Sequence, residues 1–246
     1  MGRVRRAAAV VVMVPVAGVA LLGVEVFLAQ QGRHLATPPL PSPEVLAGPP
    51  GPADTLAVWL GDSTAAGVGA SGAAGALPRQ VADQLARPVR LTVLARSGAR
   101  VADVLRTQVP AMAGMKPNIV FISVGANDAT HLTSRAHFRR DYARVLAGLP
   151  TGVGQVVLLG VPDLGAPPRL AQPLRALAGW RGRALDADVR ALAVRTHARY
   201  ADIARRTGPA FRRHPGVYFA ADRYHPDDAG YRLWAAAVAA SVAPAH

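Results

Sequence analysis

An α/β architecture, a central and mostly parallel five-stranded sheet sandwiched between two layers of helices, is predicted by three observations. Short apolar runs alternate with amphipathic stretches from Thr55 to the end of the chain. The runs are nearly continuous in Val, Leu, Ile and Ala, as strands buried on both faces must be. Four of them end in a polar or glycine-bearing corner, and in parallel sheets the carboxyl ends of the strands are where function gathers.

The first run, Thr55 to Leu60, opens the sheet. Val89 to Ala95, Asn118 to Val124, Gln155 to Gly160 and Arg199 to Ile203 supply the other four strands. Between them, apolar residues recur at helical spacing: Leu77, Val81 and Leu85; Val101, Val104, Leu105, Val109 and Met112; Phe138, Tyr142, Val145 and Leu149; Leu185, Val189 and Leu192. Near the end, Pro226 biases His225 away from helix, so residues 222 to 225 should form an irregular turn, with a helix opening at Pro226 and Asp227 and Asp228 in its first turn.

Ahead of this domain, assigned to residues 55–246, lie two segments of different character. Residues 1–33 begin with Arg3, Arg5 and Arg6 and continue in an apolar run from Ala7 to Ala29, broken by Pro15 and Glu25. At 1.5 Å per residue the run reaches roughly 35 Å, enough to cross a bilayer core of ~30 Å. The arginines precede it, so an uncleaved signal-anchor would keep the N-terminus in the cytoplasm and export the rest, with Glu25 near the outer end within reach of water. A cleaved signal peptide, giving a secreted protein, is the alternative, although Phe27-Leu28-Ala29 is a poor cleavage site. Residues 34–54 hold seven prolines and read as a semi-rigid linker with no core of its own.

Composition excludes several classes. The chain has 246 residues, about half of them apolar, which is enough for one substantial core, and a monomer is expected. It has no cysteine, which removes disulfides, thiolate metal sites and a cysteine nucleophile. There is no His-Glu-x-x-His and no dense carboxylate cluster, so no metal and no cofactor is expected. The net charge of +13 comes from arginines scattered over every element, with Lys116 the sole lysine, and not from a stripe that would track phosphates, so nucleic acid is not an expected partner.

The four strand ends carry Gly61-Asp62-Ser63-Thr64, Ser97-Gly98, Gly125-Ala126-Asn127-Asp128 and Pro162-Asp163-Leu164-Gly165. Each alone is an ordinary helix cap or turn. Together they put a serine, an asparagine and glycine corners on one rim. From the far end, Asp222-Arg223-Tyr224-His225-Pro226 supplies a carboxylate and an imidazole three residues apart, the pair that nucleophilic acyl chemistry on a serine requires. His214-Pro215 has Phe211 in the corresponding acid position, and His131, His137 and His197 fall in or beside predicted helices.

Taken in order, these blocks resemble those of the SGNH (GDSL-type) hydrolases and cover essentially Thr55 to the C-terminus. The resemblance implies the flavodoxin-like fold of that family and a serine esterase of the carboxylesterase or lipase kind. It implies Ser63 as nucleophile, His225 as general base, Asp222 as its orienter, and an oxyanion hole from the N–H groups of Ser63 and Gly98 with the Asn127 side chain. Thr64 departs from the leucine that usually gives the family its name. The substrate implied is a small-molecule, lipid or glycan ester, and an O-acyltransferase would use the same residues. Gly67-Val68-Gly69-Ala70-Ser71-Gly72 also spells a dinucleotide fingerprint, but it begins well past the first strand and no acidic residue follows the second, so a loop over the Ser63 site is the better reading.

Overall fold

The structure, a computed structural model, describes residue 25 and residues 35–38, 45–85 and 87–242. Its elements, in chain order, are β1 (Val45–Ala47), β2 (Thr55–Gly61), α1 (Leu77–Gln84) and β3 (Val89–Val93). A continuous helical stretch, α2, then runs through Val101–Asp103, a π-helical turn Val104–Gln108, and Val109–Ala111. It is followed by β4 (Ile119–Ser123), α3 (Ala126–Thr130), α4 (Arg135–Ala147), β5 (Gln155–Leu159) and α5 (Leu174–Arg195). The chain closes with β6 (Arg199–Ala201), α6 (Ile203–Arg213), α7 (Pro215–Tyr218) and α8 (Asp228–Ala239).

The strands form one sheet in the order β1-β3-β2-β4-β5-β6. Every pairing is parallel except β1 with β3. Alternation along the strands feeds two apolar layers. Ala57, Trp59, Phe121, Val157 and Leu159 face the side covered by α1, α6 and α8. Leu56, Val58, Leu60, Val120, Ile122 and Leu158 face the side covered by α2, α4 and α5. Trp59 and Phe121 are register partners across β2 and β4, and their rings stack at 4.4 Å. Both faces of the central strands are therefore dry, which is why those segments are apolar without alternation.

Three expectations are corrected. The sheet has six strands, not five: β1 lies in the proline-rich segment, where the proline-free stretch Val45-Leu46-Ala47 pairs antiparallel with β3 and buries Ala47 in the core. The last strand stops at Ala201, because Asp202 caps a helix instead, its side chain accepting the Arg205 N–H. Pro226 stays outside α8, bridging to Phe219, while Asp227 is the cap and accepts the Gly230 N–H.

The run Ala7 to Ala29 lies outside the described residues apart from Glu25. Glu25 is buried, not in water, and its carboxylate accepts the Leu174 N–H at the start of α5, 2.8 Å away. Among the described residues no helix is long and apolar enough to cross a membrane.

Candidate active site

β2 ends at Gly61 with φ +146°, where a Cβ would collide with the Ser123 carbonyl of the neighbouring strand. Only glycine tolerates that approach, and it turns the chain sharply so that Ser63 sits above the sheet. The turn is pinned from below. Gln108, buried on α2, accepts the Gly61 N–H at 2.7 Å and donates to the Gly61 carbonyl at 2.8 Å. It sits at the end of the π-helical turn, a distortion that re-aims one side chain. The Asp62 carboxylate accepts the Thr64 N–H and hydroxyl, and that hydroxyl also meets the Ser123 hydroxyl at 2.9 Å. Burial pushes the Asp62 carboxyl up to about 6, against the pull of the Thr64 hydrogen bonds and of His225.

Residues 222–225 form the expected irregular turn, with Arg223 in the left-handed region at φ +58°. Asp222 Oδ1 accepts the N–H groups of Tyr224 and His225, both at 3.0 Å. Its Oδ2 lies 2.6 Å from His225 Nδ1, and His225 Nε2 lies 2.9 Å from Ser63 Oγ. Burial acts to raise the Asp222 carboxyl, but the hydrogen bonds from the imidazole and the two N–H groups outweigh it and hold it below its ordinary value. The result is a connected hydroxyl–imidazole–carboxylate chain, with Asp222 buried and His225 partly open. Such a chain can move a proton off the hydroxyl while the carboxylate fixes the imidazole tautomer.

The Gly67–Gly72 stretch packs over this turn. A Cβ on Gly69 would strike the Pro226 carbonyl and the His225 side chain, and Ser71 bonds to Asp228 through both its N–H and its hydroxyl. The segment thus packs against the turn that carries His225, outside the residues that line the cavity, and the next long helix begins at Leu77, beyond it.

On the opposite side stand Gly98 and Asn127. Gly98 has φ +79°, and among the described residues no hydrogen bond engages its N–H or that of Ser63. The loop carrying Gly98 is clamped by neighbouring residues of α3: Asn127 Nδ2 donates to the Ala99 carbonyl at 3.1 Å, and Asp128 Oδ2 accepts the Val101 N–H at 3.0 Å. Asn127 keeps a second amide hydrogen for another acceptor. Asp128 is fully buried, its Oδ1 has no hydrogen-bond partner, and burial raises its carboxyl.

All four sequence-predicted corners thus meet in one cavity, lined among others by Ser63, Gly98, Asn127, Asp163 and His225. His214, His131, His137 and His197 lie elsewhere, at or within helix ends and bodies. Gln108 and the Thr64–Ser123 contact are structural partners that the sequence motifs do not reveal, whereas Asp128 ties a backbone N–H as a residue at a βα junction can. The available signal for Gln108 was a polar residue four places after Val104, on the apolar stripe of α2. Among the described residues no group of His, Cys, Asp or Glu could hold a metal ion.

Known proteins resemble this chain in sequence and in fold. The GDSL-like esterase Rv1075c of Mycobacterium tuberculosis is 35% identical over 189 residues, covering 74% of this chain and 60% of that protein. The chain therefore spans about 60% of the length of the curated relative it matches. A lipase/acylhydrolase from Enterococcus faecalis superposes with a TM-score of 0.62 at 21% identity, over 78% of this chain and 99% of that one. Axe2, an acetyl xylan esterase from Geobacillus stearothermophilus, does so with a TM-score of 0.57 at 21% identity, over 78% and 94% of the two chains. These two likenesses speak to the fold. The model of the GDSL-like lipase/acylhydrolase family matches residues 59–233, from the core of β2 to the body of α8, and the chain belongs to that SGNH/GDSL hydrolase family.

Proposed function

We propose that this protein is a serine esterase that cleaves carboxylic esters through an acyl-enzyme on Ser63. The observation that carries the reading is the continuous contact from Ser63 Oγ to His225 Nε2 at 2.9 Å and from His225 Nδ1 to Asp222 at 2.6 Å. His225 accepts the Ser63 proton as Oγ bonds to the ester carbonyl carbon. Negative charge then develops on the carbonyl oxygen, and the N–H groups of Ser63 and Gly98 with the free Asn127 amide hydrogen are the donors that receive it. The tetrahedral intermediate collapses with cleavage of the bond to the alcohol, which leaves with the proton from His225. Water repeats the attack: it bonds to the acyl carbon and gives a proton to His225, which returns it to Ser63 as the acid departs. An alcohol in place of that water would give acyl transfer with the same residues.

Export belongs to the same proposal. The leading arginines and the apolar run from Ala7 mark a chain directed to and across a membrane.

Hydrolysis of nitrophenyl butyrate tests the reading. Ser63→Ala and His225→Ala should each lose several orders of magnitude in kcat, and the double variant little more, because the residues act as one unit. His214→Ala should match the wild type. An active Ser63→Ala protein, or a damaging His214→Ala, would remove the assignment.

A further inference from the structure

Beside the triad opens a cavity of about 340 Å3. One end holds Ser63, His225, Gly98 and Asn127. The remaining wall comes from the loop after β5, from α6, from the segment between α7 and α8 and from α8, and is largely apolar: Leu164, Ala166, Phe211, Phe219, Pro226 and Trp234. Phe211 packs against Phe219 and Trp234, with ring centroids 5.0 and 6.0 Å apart, so the aromatic end is a braced surface. Two polar side chains of that wall, Asp163 and Thr207, are tied to neighbouring protein groups, while the buried Trp234 Nε1 has no hydrogen-bond partner. Asp163 is held by both guanidinium contacts of Arg212 and by the Gly165 N–H, and the Thr207 hydroxyl donates to the Ile203 carbonyl of its own helix.

A sugar placed there would bury hydroxyls against a wall made mostly of carbon, and an acetyl group would leave most of the space unfilled. A hydrocarbon chain meets neither cost. The two halves of an ester also differ in what they must do. The alcohol has to depart before water can attack, whereas the acyl part stays covalently bound to Ser63 and profits from a dry, shaped enclosure. A cavity of this size has room for a chain of several carbons beyond the reacting ester group.

We propose that this cavity binds the acyl chain and measures it, making the enzyme selective for straight medium-length acyl esters over acetyl and long-chain ones. The proposal rests on the esterase reading of Ser63. Its test uses the full chain and two series of substrates: nitrophenyl esters from acetyl to palmitoyl, and acetate esters of alcohols of graded length. Along the first series kcat/KM should rise about fourfold for each methylene, the factor that corresponds to ~0.8 kcal/mol. It should peak near hexanoyl to octanoyl and fall beyond. Along the second series it should change little. Ala166→Leu, which adds three carbons to the wall, should lower the octanoyl-to-acetyl ratio at least tenfold, and Phe219→Ala should move the peak to longer chains. The two variants push in opposite directions, so a folding failure in one leaves the other decisive. A steady decline from acetyl upward, or a gain that follows the alcohol instead, would overturn the acyl cavity while leaving the esterase standing. A folded protein that hydrolyses no ester, acetyl included, would remove the esterase reading and this one with it.

Discussion

At the scale of single residues, the site separates groups that react from groups that hold them. Asn127 does both, since one amide hydrogen ties the Gly98 loop and the other is free for substrate. Asn127→Ala should cost about 10²- to 10³-fold in kcat, the usual loss for one oxyanion donor, with KM for nitrophenyl butyrate within a few-fold of wild type. Asp62 reacts with nothing, yet its proton matters. Burial lifts its carboxyl from 3.8 to about 6. Between those values the unfolded chain gives up the proton before the folded one does, so stability falls as pH rises through the window and levels above it. The rise corresponds to about 3 kcal/mol at about 1.36 kcal/mol for each pH unit. Asp62→Asn keeps an oxygen for the Thr64 N–H and hydroxyl and should abolish this fall. Urea melts of both proteins from pH 4 to pH 7 check it: the curves should diverge with rising pH in favour of the variant. Ser63, Asp222 and His225 were legible because reactive residue types stand at diagnostic corners. Asp62 and Asp128 stood in the same quoted blocks, but their effects depend on burial, which spacing does not report.

At the scale of elements, the corner after β2 is set by an interlock of three. Gly61 turns beneath the Ser123 carbonyl of β4 while Gln108 reaches in from the π-helical turn of α2. Replacing Gln108 with Leu would leave the buried Gly61 N–H unpaired, at a cost of about 1–3 kcal/mol, while the Gly61 carbonyl keeps the Arg96 N–H at 3.1 Å. The variant should melt well below the wild type. It should also lose activity beyond its unfolded fraction, because the chain turn that presents Ser63 is then free to relax. A Gln108→Glu protein, which retains one acceptor, should recover part of both at low pH. The apolar runs made five strands and the intervening helices readable. The π-helical turn was not, since its residues repeat at nearly helical spacing, and β1 was hidden because its three residues sit among prolines and earn their strand by pairing with β3.

At the scale of the whole molecule, two apolar layers fix a rigid sheet, and every reactive group is delivered by a loop or a helix start at its carboxyl edge. Three of those loops follow β2, β3 and β4, and the last arrives between α7 and α8. The order of the blocks was visible in the sequence, but their meeting point was not, because Ser63 and His225 are 162 residues apart in the chain and only the parallel topology brings them together. N-terminal sequencing of protein recovered from cells should find a mature chain beginning near Gln30 or Thr37 if export ends in release, and an intact Met1 if the run is kept as an anchor. The acyl-enzyme on Ser63 is itself observable. Intact-mass analysis of the enzyme quenched during turnover of nitrophenyl butyrate should show one added butyryl group, mapped by fragmentation to Ser63 and absent from Ser63→Ala and from His225→Ala. An adduct on a different residue, or a Ser63→Ala protein that still forms it and turns over at the wild-type rate, would contradict the account.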